Sequence, residues 1–140
     1  MLPDLLVWLL PAAFVLHDAE ETVFLPGWLR RNRDDLSRRF PRLSGRLLSH
    51  VAAISPARFA AMAAEELALL LAVTLYSVIS HDYYPWLALF LAFGVHLIVH
   101  IVQWIAVGRY IPVAATSLAA LAYCDWGLHV LITSGVFTLR

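Results

Sequence analysis

The stretch WLALFLAFGVHLIVHIVQWIAV, residues 86–107, decides the class of this protein. It contains no Asp, Glu, Lys or Arg, and it exceeds the roughly 20 apolar residues that a helix needs to cross a bilayer. Pro85 precedes it and Gly108 follows it, as is typical of helix boundaries. Two histidines, His96 and His100, lie inside the apolar run. The stretch therefore predicts a membrane helix that carries polar side chains.

Three further segments have the length and composition of membrane helices. The four predicted helices are 2–25, 57–79, 86–107 and 112–137, with Pro26-Gly27 ending the first. Of the 140 residues, 61% are hydrophobic, which is more than a small water-soluble core can bury. We therefore expect an all-α membrane protein in which residues 1–140 form one domain, an up-down bundle of four transmembrane helices.

The basic residues are concentrated in one link. All ten are arginines, and eight lie between Arg30 and Arg58. Because cytoplasmic links collect arginine, we predict a multi-pass protein of the cell inner (cytoplasmic) membrane, with loop 26–55 in the cytoplasm and both termini outside. The basic stretch lies between two membrane-length segments, so we expect no nucleic-acid partner.

The same link contains an amphipathic pattern. Apolar residues recur at helical spacing between arginines, at Leu43, Leu47, Leu48, Val51 and Ile54, and a similar set precedes them at Trp28, Leu29, Leu36 and Phe40. This pattern favours a basic, partly helical segment in the membrane interface over a plain solvated connector. At the opposite side, Tyr83, Tyr84 and Trp86 are predicted to form an aromatic belt.

Ionisable side chains interrupt all four apolar segments. Such groups are costly in a bilayer and indicate functional sites. They are His17, Asp18, Glu20 and Glu21 in the first segment, Glu65 and Glu66 in the second, His96 and His100 in the third, and Asp125 and His129 in the fourth. The alternative is a structural role for single residues, such as pairing of Glu21 with Arg30 or of Glu65 with Arg58.

Helix geometry places most of these groups at one depth. With a rise of about 1.5 Å per residue, those of the first three helices lie about 6 to 16 Å from the arginine-rich side. Asp125 and His129 lie at about 20 and 25 Å and are predicted to be outside the cluster. His17 shares a helix face with Glu20 and Glu21, and His96 shares one with His100, because residues three or four apart are neighbours.

The cluster has the donor set of a metal site. Histidine and carboxylate without cysteine suit zinc, iron or manganese, and four-helix bundles hold one or two ions in this way. We predict a divalent metal, Zn or Fe, in a mononuclear or dinuclear site. The predicted metal ligands are His17, Glu20, Glu21, Glu65, His96 and His100. Glu21 and Glu66 are the predicted catalytic carboxylates, and the choice between Glu65 and Glu66 at the cluster stays open.

The motif His17-Asp-Ala-Glu20-Glu21 resembles the signature of the HXXEE-motif family, small membrane proteins of bacteria and archaea. His96-x-x-x-His100 and Arg109-Tyr110-x-Pro112, followed by Thr116, are also similar to this family, although Val113 stands where the family often has glycine. The resemblance implies a four-helix membrane fold and a metal-dependent activity that involves His17, Glu20, Glu21, His96 and His100. It supplies no substrate.

Three functions fit these residues. The favoured one is a metal-dependent enzyme, hydrolytic or, with iron, oxidative, whose substrate is a lipid or a membrane-embedded molecule. A haem- or quinone-binding electron-transfer protein is the second. Transport of protons or cations is the third, and with so few helices it would require a homo-oligomer.

Overall fold

The computed structural model describes residues 2–42 and 54–135, and within them the chain forms four α-helices. These are α1 (Asp4–Arg39), α2 (Pro56–Ser80), α3 (Tyr84–Val107) and α4 (Ala114–Ser134). The all-helical prediction is confirmed, and α2, α3 and α4 are long and apolar enough to span a membrane. α1 is longer still, but it carries Asp18, Glu20 and Glu21 in one half and a run of arginines in the other.

The prediction that the first helix ends at Leu25 is wrong, because α1 runs through Pro26 to Arg39. A proline inside a helix removes a backbone hydrogen bond and costs about 3 kcal/mol. Tertiary packing offsets this cost, since Leu36 is buried in a small core beyond the proline. That core contains Leu36, Val107, Ile111 and Val113, with Leu25, Trp28, Leu29, Phe40 and Trp104 packed against it.

The predicted interfacial segment is therefore partly a continuation of α1. Its first apolar set packs against the end of α3 and the link that follows, rather than lying on its own. Arg39 Nη1 donates a hydrogen bond to the carbonyl of Val107 at 2.7 Å, and Arg109 pairs with Asp35 at 2.6 Å. Of the second apolar set, Leu43, Leu47, Leu48 and Val51 lie outside the described residues, which resume at Ile54.

Contacts at the helix ends establish the helix directions. α1 and α3 run parallel, because Val7 accepts a hydrogen bond from Trp86 Nε1 at one end while Arg39 reaches Val107 at the other. α4 runs antiparallel to both, since Thr116 near its start contacts Glu20, while Tyr123 further along donates to the carbonyl of Leu6 at 2.9 Å. α1 contacts each of the other three helices, whereas the described residues of α2 and α4 do not contact each other.

The aromatic belt predicted at Tyr83 and Trp86 is wrong for these two residues, which are 5% and 0% exposed. Trp86 stacks on Phe90 with ring centroids 5.0 Å apart, and the carbonyl of Val7 satisfies its N–H, so the indole can be fully buried. α4 approaches this core closely at Gly127, where an added Cβ would lie 2.7 Å from Phe90.

The Val7–Trp86 contact sets the register of the site. His17 lies ten residues after Val7, and His96 lies ten residues after Trp86. Because the two helices are parallel and rise equally per residue, both histidines lie about 15 Å further along the same interface. The buried aromatic core therefore brings α1 and α3 histidines face to face.

Candidate metal centre

Four side chains from α1 and α3 converge at this level: His17, Glu21, His96 and His100. One ligand atom from each lies within 4.8 Å of the others. On α1, His17 and Glu21 are one turn apart and continue the buried stripe of Leu6 and Leu10. On α3, His96 and His100 are likewise one turn apart. The helical spacing visible in the sequence thus lets each of the two helices contribute two side chains to the group.

The converging atoms are three imidazole nitrogens and one carboxylate oxygen. Nε2 of His96 lies 3.2 Å from Nε2 of His17 and 3.1 Å from Nε2 of His100. Glu21 Oε2 lies 3.8, 3.5 and 3.6 Å from Nε2 of His17, His96 and His100 respectively. Two ligand atoms on a tetrahedral ion with bonds of about 2.0–2.1 Å are about 3.3–3.4 Å apart. The five separations given above bracket that value.

A hydrogen-bond chain fixes the protonation of His17. The Thr116 hydroxyl donates to Glu20 Oε2 at 2.6 Å, so its oxygen is an acceptor toward His17. His17 Nδ1 lies 3.0 Å from that oxygen and must therefore carry the proton that it donates. The lone pair of neutral His17 is then on Nε2, directed at the cluster.

His100 is oriented in the same way. Its Nδ1 lies 3.1 Å from Gln103 Oε1, one turn further along α3, and donates to it. In the neutral side chain, Nε2 of His100 then carries the lone pair and faces the cluster. Metal-bound histidines usually donate their second N–H to an oxygen in this manner, which fixes the tautomer and the ring orientation.

The centre concentrates electron pairs. Nε2 of His17, Nε2 of His100 and the Glu21 carboxylate all accept, and they surround Nε2 of His96. A single N–H at His96 Nε2 fully serves only one of these three acceptors. A cation between the four atoms removes the conflict.

Glu20, a predicted ligand, faces away from the group and toward the start of α4. Its Oε2 accepts from the Thr116 hydroxyl and also from the Thr116 backbone N–H at 3.3 Å. Its Oε1 accepts from the Tyr110 hydroxyl at 3.4 Å. Partial desolvation and the charge of Glu20 raise the pKa of Tyr110, so its phenol stays a donor. A carboxylate here also interacts favourably with the N-terminus of α4.

The two glutamates of α2 are placed differently. Glu66 lines a cavity of about 420 Å³ between α1, α2 and α3, together with Asp18, Glu21 and His96. Glu65 is exposed and is neither in the convergent group nor in that lining. Glu66 is therefore the glutamate of α2 that lies at the same cavity as His96 and Glu21.

Asp125 and His129 are exposed on α4, outside the convergent group. Gln103, three residues after His100, lies on the same face of α3 as His100. Thr116 is part of the family resemblance, but the sequence indicated no role for it, because its two contacts lie 96 and 99 residues away along the chain.

The chain belongs to the HXXEE family, described as proteins of unknown function with an HXXEE motif, which it matches over residues 8–126. The match includes all four members of the convergent group as well as Glu20, Glu66 and Thr116. No curated protein and no solved structure matches the chain.

Proposed function

We propose that this protein is a multi-pass membrane enzyme whose reaction depends on a divalent metal held by His17, Glu21, His96 and His100. The substrate in this proposal is a lipid or another membrane-embedded molecule. The observation that carries the proposal is the convergence of three Nε2 atoms and one carboxylate oxygen, in which five of the six pairs of atoms lie 3.1 to 3.8 Å apart. Two of the imidazoles have their Nδ1 atoms engaged by oxygen acceptors.

The donors favour zinc or iron. Three imidazoles and a carboxylate, without cysteine, are ligands that both metals accept. The four atoms gather around a single point, so the proposal is for one ion. A second ion would need further ligands, and Asp18 and Glu66 are the neighbouring carboxylates in the cavity lining.

Each side chain has a distinct part in this proposal. A divalent ion would polarise a carbonyl group and lower the pKa of a water that it coordinates. His96 is the most accessible of the ligating histidines and lines the cavity with Glu21, so this cavity is the side from which a substrate reaches the centre. Glu66 is exposed at the same cavity and not among the ligands, which suits a general base that accepts a proton.

The membrane assignment rests on α2, α3 and α4, whose length and composition suit spans. The Arg109–Asp35 pair brings the arginines of α1 and the α3–α4 link to the same end of the molecule. In the proposed orientation this end is cytoplasmic, since arginine-rich links stay on that side. The metal centre then lies in the cytoplasmic half of an up-down bundle.

Haem ligation fits this geometry poorly. A porphyrin between two axial imidazoles would separate them from each other and from a third imidazole. Here Glu21 lies within 3.8 Å of all three histidines, which leaves no space for the ring between any two. A transport pathway for protons or cations also has little support, because Asp125 and His129 lie outside the convergent group and do not extend it along the bundle.

Elemental analysis of the protein purified in detergent tests the metal. We expect about one zinc or iron per chain, and its loss in His17→Ala. The matched control is His129→Ala, which removes an exposed histidine of α4 and should retain the metal. Protein that carries no stoichiometric metal after purification and after reconstitution with Zn²⁺ or Fe²⁺ would contradict the proposal.

A further inference from the structure

The cavity beside the metal centre has two chemically different parts. At one level it is lined by Asp18, Glu21, Glu66 and His96. Toward the Trp86 end of the bundle its walls are apolar, with Phe14, Leu70 and Phe93 among them. Its volume of about 420 Å³ falls within the 300–1,000 Å³ typical of small-molecule sites. The shape and lining fit an amphiphile, with a polar group at the carboxylates and a chain along the apolar walls.

The charge of the polar part is negative. Three carboxylates line the cavity, and none of the described lining residues is an arginine. A divalent ion at the centre would bring two positive charges, which the three carboxylates still exceed by one. Asp18 and Glu66 are outside the convergent group, so their charges remain available to a ligand. An anionic headgroup is mismatched here, and a cationic one is complementary.

Recognition in a membrane depends on this polar part. A chain that moves from lipid into an apolar groove gains little, because acyl chains already surround it in the bilayer. Selectivity among amphiphiles of equal chain length must therefore come from the headgroup. The described lining offers carboxylates for this purpose and no phosphate-binding arginine.

We propose that this cavity binds a single-chain amphiphile with a protonated amine headgroup, held by Asp18 and Glu66 beside the metal centre, with its chain between α1, α2 and α3. As the substrate site of the enzyme, this assignment rests on the proposed function. As a binding site it depends only on the cavity and its two non-ligating carboxylates.

The test uses three probes of equal chain length: dodecylamine, dodecanol and dodecanoate. Binding to the full chain in phosphatidylcholine nanodiscs is measured by competition with a spin-labelled long-chain amine, and empty nanodiscs give the partitioning background. We expect dodecylamine to bind at least about tenfold more tightly than dodecanoate, with dodecanol between them. Glu66→Gln should reduce this preference about fivefold or more, whereas Glu65→Gln, one residue away and outside the lining, should leave it unchanged.

A second pair of variants tests the cavity itself. Ala92→Phe fills it from α3 without removing a core side chain, and should abolish specific binding of all three probes. Ala106→Phe adds the same ring at an exposed position of α3 away from the cavity, and should bind like the parent protein. Circular dichroism and metal content of each variant show whether the fold and the centre are intact.

The outcomes separate the two proposals. Dodecanoate binding as tightly as dodecylamine, or binding unaffected by Ala92→Phe, would overturn the cavity assignment even in metal-loaded protein. Amine-selective binding that Glu66→Gln weakens, in protein without stoichiometric metal, would support the cavity assignment while the metal proposal fails.

Discussion

Glu20 and Glu21 are neighbours in the chain but belong to different interfaces of the molecule. Glu21 lies on the α1–α3 side, within 3.8 Å of three imidazole nitrogens. Glu20 lies on the α1–α4 side, where it accepts hydrogen bonds from Thr116 and Tyr110. Successive helical residues point about 100° apart, so one motif serves two helices. The comparison places Glu21 among the histidines, where the proposed ion would lie, and Glu20 at Thr116, which contacts His17.

The largest effect is expected on the α1–α3 side. Glu21→Gln replaces the only carboxylate of the convergent group by a neutral amide. Metal binding should weaken by more than about 100-fold, because losing a ligand costs more affinity than losing a hydrogen bond to a ligand, which typically costs about 10- to 100-fold. Competition with a chelator of known affinity measures this change. Glu65→Gln is the matched control, because it removes an exposed carboxylate outside the group. Equal affinity in both variants would remove Glu21 from the centre.

An intermediate effect is expected on the α1–α4 side. Thr116→Val deletes the hydroxyl between His17 and Glu20, so His17 loses the acceptor that keeps its Nδ1 protonated. Metal affinity should fall about 10- to 100-fold, and Thr116→Ser should restore it. A purely structural role for Thr116 predicts a lower melting temperature with unchanged metal affinity, and that result would end the positioning interpretation of Glu20.

The smallest effect is expected at the arginine-rich end, where Arg109 pairs with Asp35. Their side chains are 42% and 36% exposed, so solvent screens the pair. Arg109→Gln should lower the free energy of unfolding by no more than about 1 kcal/mol and leave metal affinity unchanged. Thermal unfolding of this variant, Asp35→Asn and the double variant gives the coupling between the two side chains. Coupling well above that size would mean that this end stabilises the helix pair more than its exposure implies.

Sequence patterns predicted correctly those features that depend only on residues close together in the chain. The apolar length of α3 and the spacing of His96 and His100 follow from helix geometry, and Ser55 accepts the backbone N–H of Arg58 at the predicted start of α2. They failed at Pro26, where a local stop signal competes with burial of Leu36 more than two turns later. They failed again at Trp86, because an aromatic residue near a helix end suits either an interface or a core.

The sequence by itself determined that this chain is helical, that its apolar segments have membrane length, and that histidines and carboxylates lie within them. Helical periodicity also paired His17 with Glu21 and His96 with His100. Only the tertiary structure decided which carboxylates meet the histidines, because that depends on the rotation and register of one helix against another. The Val7–Trp86 contact sets this register, and it turns Glu21 toward the imidazoles while Glu20 faces Thr116.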